Sequence, residues 1–336
     1  AYIALRKNGI KPSIIAGTSI GSVNAALMVQ GDIKKLTSLW LNTTTDIFGI
    51  NSEILDKIKH KKFTNEDLKP TYDNIKQIIG NKGIDVSEYL KIIEESIDEH
   101  KLRKSKIKFG LVTVKLDGKP KPLELTIDDI PEGKVAQYIL ASCYLPIFKM
   151  QPIIDNNYYI DGGFYNNIPL TLVEKYGCDT IYSIRIKGLG ISHNKLHKKT
   201  KIIEIKPNIN LGSIILFDRE TNERNMKLGY YDTIRVIKNL DGDKYYFKYK
   251  EYKYFLKIAK YLDHKTFNKL SIKYHTTSTK EIIIKAVEEI LSKNNIDKFK
   301  ILNINKTIKY IKKHCEIKDK TLNRLIKSLK TNIVDF

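Results

Sequence analysis

Two short stretches of the chain carry residue types that can do chemistry together. Residues 16–21 read AGTSIG, which places Ser19 in a G-x-S-x-G frame between Gly17 and Gly21, directly after the apolar pair Ile14-Ile15. Such a frame belongs to a sharp strand-to-helix turn that lifts a serine hydroxyl to a helix N-terminus, where flanking side chains would clash. The frame alone is cheap, arising by chance about one time in ten in a chain this long at ordinary glycine and serine usage. The second stretch, YYIDGGFYNNIPL at 158–170, sets Asp161 behind a short strand and ahead of Gly162 and Gly163. A carboxylate there can share its turn with another side chain, or it can simply begin an Asp-Gly turn.

A serine nucleophile needs a base, and in G-x-S-x-G hydrolases the chain order is commonly Ser, then Asp or Glu, then His. Downstream lie His193, His197, His264, His275 and His314. None follows a strand in a turn motif, and His193 and His197 sit in the Lys-rich run SHNKLHKK, which reads as a solvated segment. The same pair forms H-x-x-x-H, but Asn194 stands where a zinc hydrolase has its glutamate, so no metal site is expected.

The elements that must position these groups are legible in outline. Residues 2–7 read as a helix stopped by Asn8-Gly9, 13–16 as a buried strand, and 23–30 as a helix whose Asn24, Ala25 and Ala26 allow close packing on a sheet. Residues 33–106 have mainly helical period, with Trp40, Leu41, Ile47 and Phe48 as core and a polar loop at 59–70. Strand alternation over 107–116 ends at Asp117-Gly118, a hairpin signal returning through 122–126. A helix over 134–142 halts before Pro146, and strands are expected at 158–160, 180–186 and 201–205. Beyond about residue 242 comes a strand-like aromatic run, DKYYFKYKEYKYF. Short helices follow, with apolar faces at Ile304, Ile308, Ile311 and Cys315 and at Leu322, Leu325, Ile326 and Leu329.

Taken together, a G-x-S-x-G elbow after a strand, then D-G-G with N-x-P behind it about 140 residues later, resembles the patatin-like phospholipase family. The matching residues are Gly17, Ser19, Gly21, Asp161, Gly162, Gly163, Asn167 and Pro169. Ala141-Ser142 through Pro146 and Phe148 resemble the family's A-S-x-x-x-P segment, and 201–207 with 218–231 extend the likeness over residues 1–237. The resemblance implies a three-layer α/β/α hydrolase fold and a Ser-Asp dyad, Ser19 as nucleophile and Asp161 as general base, with the Ile20 backbone N–H helping to hold the oxyanion. Because an ordinary aspartate has a pKa of about 3.9, such a base should be partly desolvated or in direct contact with the serine. The family's other oxyanion donors come from a glycine-rich box, G-G-G-x-[KR]-G-[AV]-[YF], whose last two residues Ala1-Tyr2 resemble. The given sequence is therefore expected to be part of a longer polypeptide, and to be weakly active or inactive without that box.

The 336 residues are 42% hydrophobic and 10% aromatic with 18 Gly and 9 Pro, the composition of a packed globular protein. We read residues 1–240 as an acyl hydrolase domain and 241–336 as a Lys-rich, mostly helical C-terminal extension. Net charge is +21, and residues 241–336, with 23 basic and 11 acidic residues, carry +12 of it. That field suits an anionic membrane surface, met peripherally, since no apolar run approaches a membrane span. Nucleic acid is not expected, because no helix-turn-helix, zinc-finger or RNP signature accompanies the charge. Cys143, Cys178 and Cys315 form no paired framework, which points to a reducing, cytoplasmic compartment. The substrate expected is a phospholipid or lysophospholipid, with no metal or organic cofactor. A soluble esterase with a Ser-Asp-His triad and an inactive scaffold binding polyanions stand as alternatives.

Overall fold

The computed structural model describes residues 1–44, 86–186, 188, 190–197, 199–212 and 218–331. Ile47, Phe48 and the loop at 59–70 lie outside the described residues. Helix α1 (Tyr2–Lys7) stops at Asn8-Gly9, where Gly9 takes φ 81°. Strand β1 (Ile14–Thr18) runs straight into α2 (Ile20–Val29), whose Ala25 and Ala26 are fully covered, so the helix axis can lie close to the sheet. Helices α3 (Ile33–Asn42), α4 (Ser87–Ser96) and α5 (Glu99–Lys104) follow, and Asp32 and Asp98 cap α3 and α5 by accepting from backbone N–H groups.

Strand β2 (Lys108–Asp117) organises the sheet. The turn at Gly118, φ 67°, returns the chain as β3 (Lys119–Thr126), antiparallel along one edge of β2. The other edge is shared end to end. Residues 108–112 pair in parallel with β1, and residues 113–116 pair antiparallel with β4 (Tyr158–Asp161). Strands β1 and β4 therefore approach each other head-on and stop at adjacent positions, Thr18 opposite Val112 and Asp161 opposite Thr113.

Alternation along β2 assigns its faces. Phe109 and Leu111 enter an apolar cluster with Leu27 of α2, Leu36 of α3, Ile93 of α4 and Ile139 of α6 (Val135–Ser142). On the opposite face, Gly110 lies under Leu172 of α7 (Leu170–Lys175), whose Cδ2 would sit 3.0 Å from any Cβ placed there. Helices thus cover both faces of a mixed sheet, an α/β architecture. Strands β5 (Thr180–Ile184) and β6 (Lys201–Ile205) form a separate two-stranded parallel sheet, and α8 (Arg219–Ile237), capped by Asp218, packs on α1 and α3.

The aromatic run at 243–255 is not one strand. Tyr245, Tyr246 and Phe247 are buried in succession, and only Tyr246–Phe247 forms a strand, β7, paired with β8 (Ile301–Leu302). From Tyr252 the burial period becomes helical in α9 (Tyr252–Ile258), with Tyr254, Phe255 and Ile258 inward. Alternating Tyr and Lys mimic a period of two, but the buried positions follow neither face of a strand. Helices α10 (His264–Tyr274), α11 (Thr279–Lys293), α12 (Ile304–His314) and α13 (Lys320–Ser328) close a second apolar cluster. Ile304, Ile308 and Ile311 and Leu322, Leu325 and Ile326 are all buried in it, so those stripes are core faces. Among the described residues no helix is long and apolar enough to cross a membrane.

Candidate active site

Ser19 occupies the turn between β1 and α2 with φ 56° and ψ −135°, a conformation few non-glycine residues adopt. Both of its peptide groups are held. Its N–H donates to Ser142 Oγ at 3.0 Å, and its carbonyl accepts from the N–H and the hydroxyl of Ser22, each at 2.7 Å. Thr18 is anchored by its hydroxyl, which donates to the Asn166 carbonyl at 2.8 Å. The two flanking glycines differ in what they do. A Cβ on Gly17 would lie 2.1 Å from the Gly21 carbonyl oxygen, whereas a Cβ on Gly21 would meet nothing within 4 Å. The expected clash therefore applies to Gly17 alone; Gly21 contributes the backbone that Gly17 must admit. The Ile20 N–H lies in the first turn of α2, where helix amides have no intrahelical partner and the dipole favours negative charge.

Asp161, 3% exposed, ends β4 at the junction with β1. Its Oδ1 accepts from the Gly163 N–H at 2.7 Å, while Oδ2 is buried with no hydrogen-bond partner among the described residues. Burial pushes its pKa up to about 6, against the smaller opposing pull of the Ser19 hydroxyl and the Gly163 N–H. The Ser19 hydroxyl is thus near enough to favour the carboxylate without closing a hydrogen bond on Oδ2, a gap that substrate binding commonly tightens. Gly162 is needed for clearance, since a Cβ there would stand 2.1 Å from the Val112 carbonyl oxygen and 2.8 Å from Thr18 Cγ2. Behind it, the Asn167 N–H donates to Ile191 and the Ile191 N–H donates to Gly163, which ties the following loop to the D-G-G turn. Pro169 stands at the N-cap of α7.

Ser19 and Asp161 line one cleft of about 1460 Å³, with Leu145, Ile147, Phe148 and Phe164 among its apolar walls. No histidine is among the described residues of that lining. The His193 ring stacks on Tyr165 and its Nδ1 contacts the Tyr165 carbonyl at 2.7 Å; His197 lies on Glu174 at 3.0 Å with its side chain 87% exposed. Asn194 accepts from the Leu170 and Thr171 N–H groups at the start of α7, a structural task. Cys143 is buried, and burial, with Asp161 nearby, pushes its thiol up to about 12, so it is no nucleophile at neutral pH. Sequence reasoning singled out Ser142 only as part of a motif. That its hydroxyl accepts from the Ser19 amide depends on α6 meeting the elbow, a contact no local pattern shows.

A base must be deprotonated to act, and a carboxyl raised by burial loses its proton later as pH rises. If Asp161 is the base of an ester hydrolase, log kcat/KM for a soluble ester climbs with unit slope below about pH 6 and levels off above it, with the limb set by the Asp161 value of about 6. Because an ordinary histidine titrates nearby, at about 6.5, the same limb must persist when His193 and His197 are replaced. A limb near 3.9, or one that vanishes with either histidine, would contradict the assignment.

Compared with known families, the chain matches the family model described as patatin-like phospholipase over residues 2–173. That span holds Ser19, Asp161, Asn167 and Pro169; the likeness read at 201–207 and 218–231 falls outside it. No curated protein matches the chain significantly.

Proposed function

From its membership of the patatin-like phospholipase family, a family of lipid acyl hydrolases, we propose that this chain cleaves carboxylic esters of phospholipids or lysophospholipids through a Ser19–Asp161 dyad. The observation that carries the reading is a buried carboxylate oxygen with no hydrogen-bond partner among the described residues, Asp161 Oδ2, beside a serine held on a strained turn. As Ser19 Oγ attacks the acyl carbonyl, Asp161 takes the hydroxyl proton. The tetrahedral oxyanion receives the Ile20 N–H at the start of α2. Asp161 then returns the proton to the departing alkoxide oxygen, leaving an acyl-Ser19 ester. In the second half Asp161 takes a proton from water, the hydroxide attacks the acyl carbon, and the fatty acid leaves as the proton returns to Ser19 Oγ. Apolar cleft walls suit an acyl chain, and no step requires a metal or organic cofactor.

In this reading residues 1–240 are the hydrolase unit and the basic residues 241–336 meet anionic lipid peripherally, on the cytoplasmic side of a membrane. Helix α9 supports that part: Tyr252 and Leu256 are half exposed beside exposed Lys253 and Lys257, an apolar and cationic face of the kind that settles at a lipid interface. One experiment addresses both parts. Fatty acid release from phosphatidylcholine and lysophosphatidylcholine vesicles, with and without phosphatidylserine, is expected to be faster on the anionic vesicles at low salt and to lose that advantage as salt is added. Release from short soluble esters alone would favour the soluble-esterase reading. Vesicle binding indifferent to salt and to phosphatidylserine would remove the membrane role.

A further inference from the structure

We propose that Ser142 is a positioning residue for Ser19, and that the C-terminal end of α6 clamps both halves of the site; the inference rests on the dyad reading above. The β1–β2 ladder ends at Thr18 opposite Val112. The next amide, that of Ser19, turns away from the strand, and the Ser142 hydroxyl takes up the connection. It donates to the Val112 carbonyl at 2.6 Å and accepts from the Ser19 N–H at 3.0 Å. A serine hydroxyl has one proton, so with that proton on Val112 its lone pairs are left for the amide, and the two bonds fix each other's direction. The Ser142 side chain and Val112 are fully buried, and Ser19 is half-buried.

The neighbours of Ser142 hold the other half. The Tyr144 carbonyl accepts from the Asp161 N–H at 2.8 Å, and the Thr113 hydroxyl donates to the Ala141 carbonyl at 2.9 Å with the Ile160 carbonyl at 3.2 Å. Residues 141, 142 and 144 thus touch the strand ends that carry Ser19 and Asp161. Without the Ser142 hydroxyl the half-buried Ser19 amide loses this partner, and the turn at φ 56° loses the contact on its N-terminal side. The Ser19 Oγ and the adjacent Ile20 N–H then shift together, which misplaces nucleophile and oxyanion donor in one movement.

The test compares Ser142→Ala, Ser142→Thr and Leu325→Ala, the last a cavity in the second apolar cluster, which contains no cleft residue. The readouts are fluorophosphonate labelling rate per folded molecule, kcat and KM on a soluble ester, and hydrogen exchange of the Ser19 amide. Ser142→Ala should lower labelling and kcat about tenfold or more, leave KM and the pH limb in place, and speed exchange at Ser19. Ser142→Thr keeps the hydroxyl and should recover most of the rate, and Leu325→Ala should keep it despite lost stability. If Ser142→Ala does not fold, Ser142→Cys, a weaker donor and acceptor, is read in the same way. Wild-type labelling per folded molecule together with an unchanged Ser19 amide would overturn the proposal. A wild-type chain that is folded and never labelled, even when extended upstream through a glycine-rich box, would instead count against the dyad, and amide exchange would still decide whether Ser142 holds Ser19.

Discussion

Replacing Asp161 by Asn should end fluorophosphonate labelling of Ser19 and lower kcat on a soluble ester by about 10⁴-fold, and Ser19→Ala should do at least as much. Asparagine has nearly the shape of aspartate, and its amide oxygen can still accept the 2.7 Å bond from Gly163. What it cannot do is take a proton, so the loss isolates the base function from the packing. Its stability should change little, or rise, because the buried group, whose Oδ2 has no partner among the described residues, no longer carries a charge. The same assay on His193→Ala and His197→Ala should return the wild-type rate within about twofold, since one ring is stacked on Tyr165 and the other is an exposed partner of Glu174. An Asp161→Asn protein that still labels, or a histidine variant that does not, would move the base elsewhere.

Gly17→Ala and Gly162→Ala should each destabilise the protein by about 3 kcal/mol or more and abolish labelling, while Gly21→Ala should leave the melting temperature unchanged or raised. The difference is read from what a new methyl group meets. At Gly17 and Gly162 it would lie 2.1 Å from a backbone carbonyl oxygen, of Gly21 and Val112 respectively. No rotamer change relieves a clash with backbone, so strand and helix must separate at the elbow or strands must separate at the junction. At Gly21 the methyl finds open space in the cleft, and alanine gains helix propensity over glycine inside α2. Thermal melts of the three variants decide this; a Gly17→Ala protein as stable as wild type would show that the elbow can relax.

These two sets of variants also separate what was legible in the chain from what was not. The elbow, the D-G-G turn, the hairpin at Gly118 and the apolar stripes of α12 and α13 are visible in sequence because each is a local rule. A glycine permits a turn, a period of two or 3.6 aligns one face, and a capping oxygen ends a helix within a few residues. The resemblance to patatin-like phospholipases rests on the same local signals, and the family match over residues 2–173 agrees with it. Local rules failed where the period was ambiguous, as in the Tyr-Lys run at 243–255, whose split into β7 and α9 follows from which rings the second apolar cluster could bury.

Only the tertiary structure decided the rest. Ser19 and Asp161 stand 142 residues apart in the chain and meet because β1 and β4 share one edge of β2 and end at Val112 and Thr113. Pairing partners are a property of the whole sheet, and no window of sequence contains them. Burial is likewise a sum over the fold, so the rise of the Asp161 carboxyl to about 6 could be required in advance as chemistry but not read from its neighbours in sequence. The same holds for the unequal glycines of the G-x-S-x-G frame and for the Ser142 hydroxyl on the Ser19 amide. The sequence by itself determined which groups could react and what turns would present them; the packing of two strand ends on the middle of β2, with one helix end beside them, determined that they face each other, because distance and desolvation are set by contacts remote along the chain.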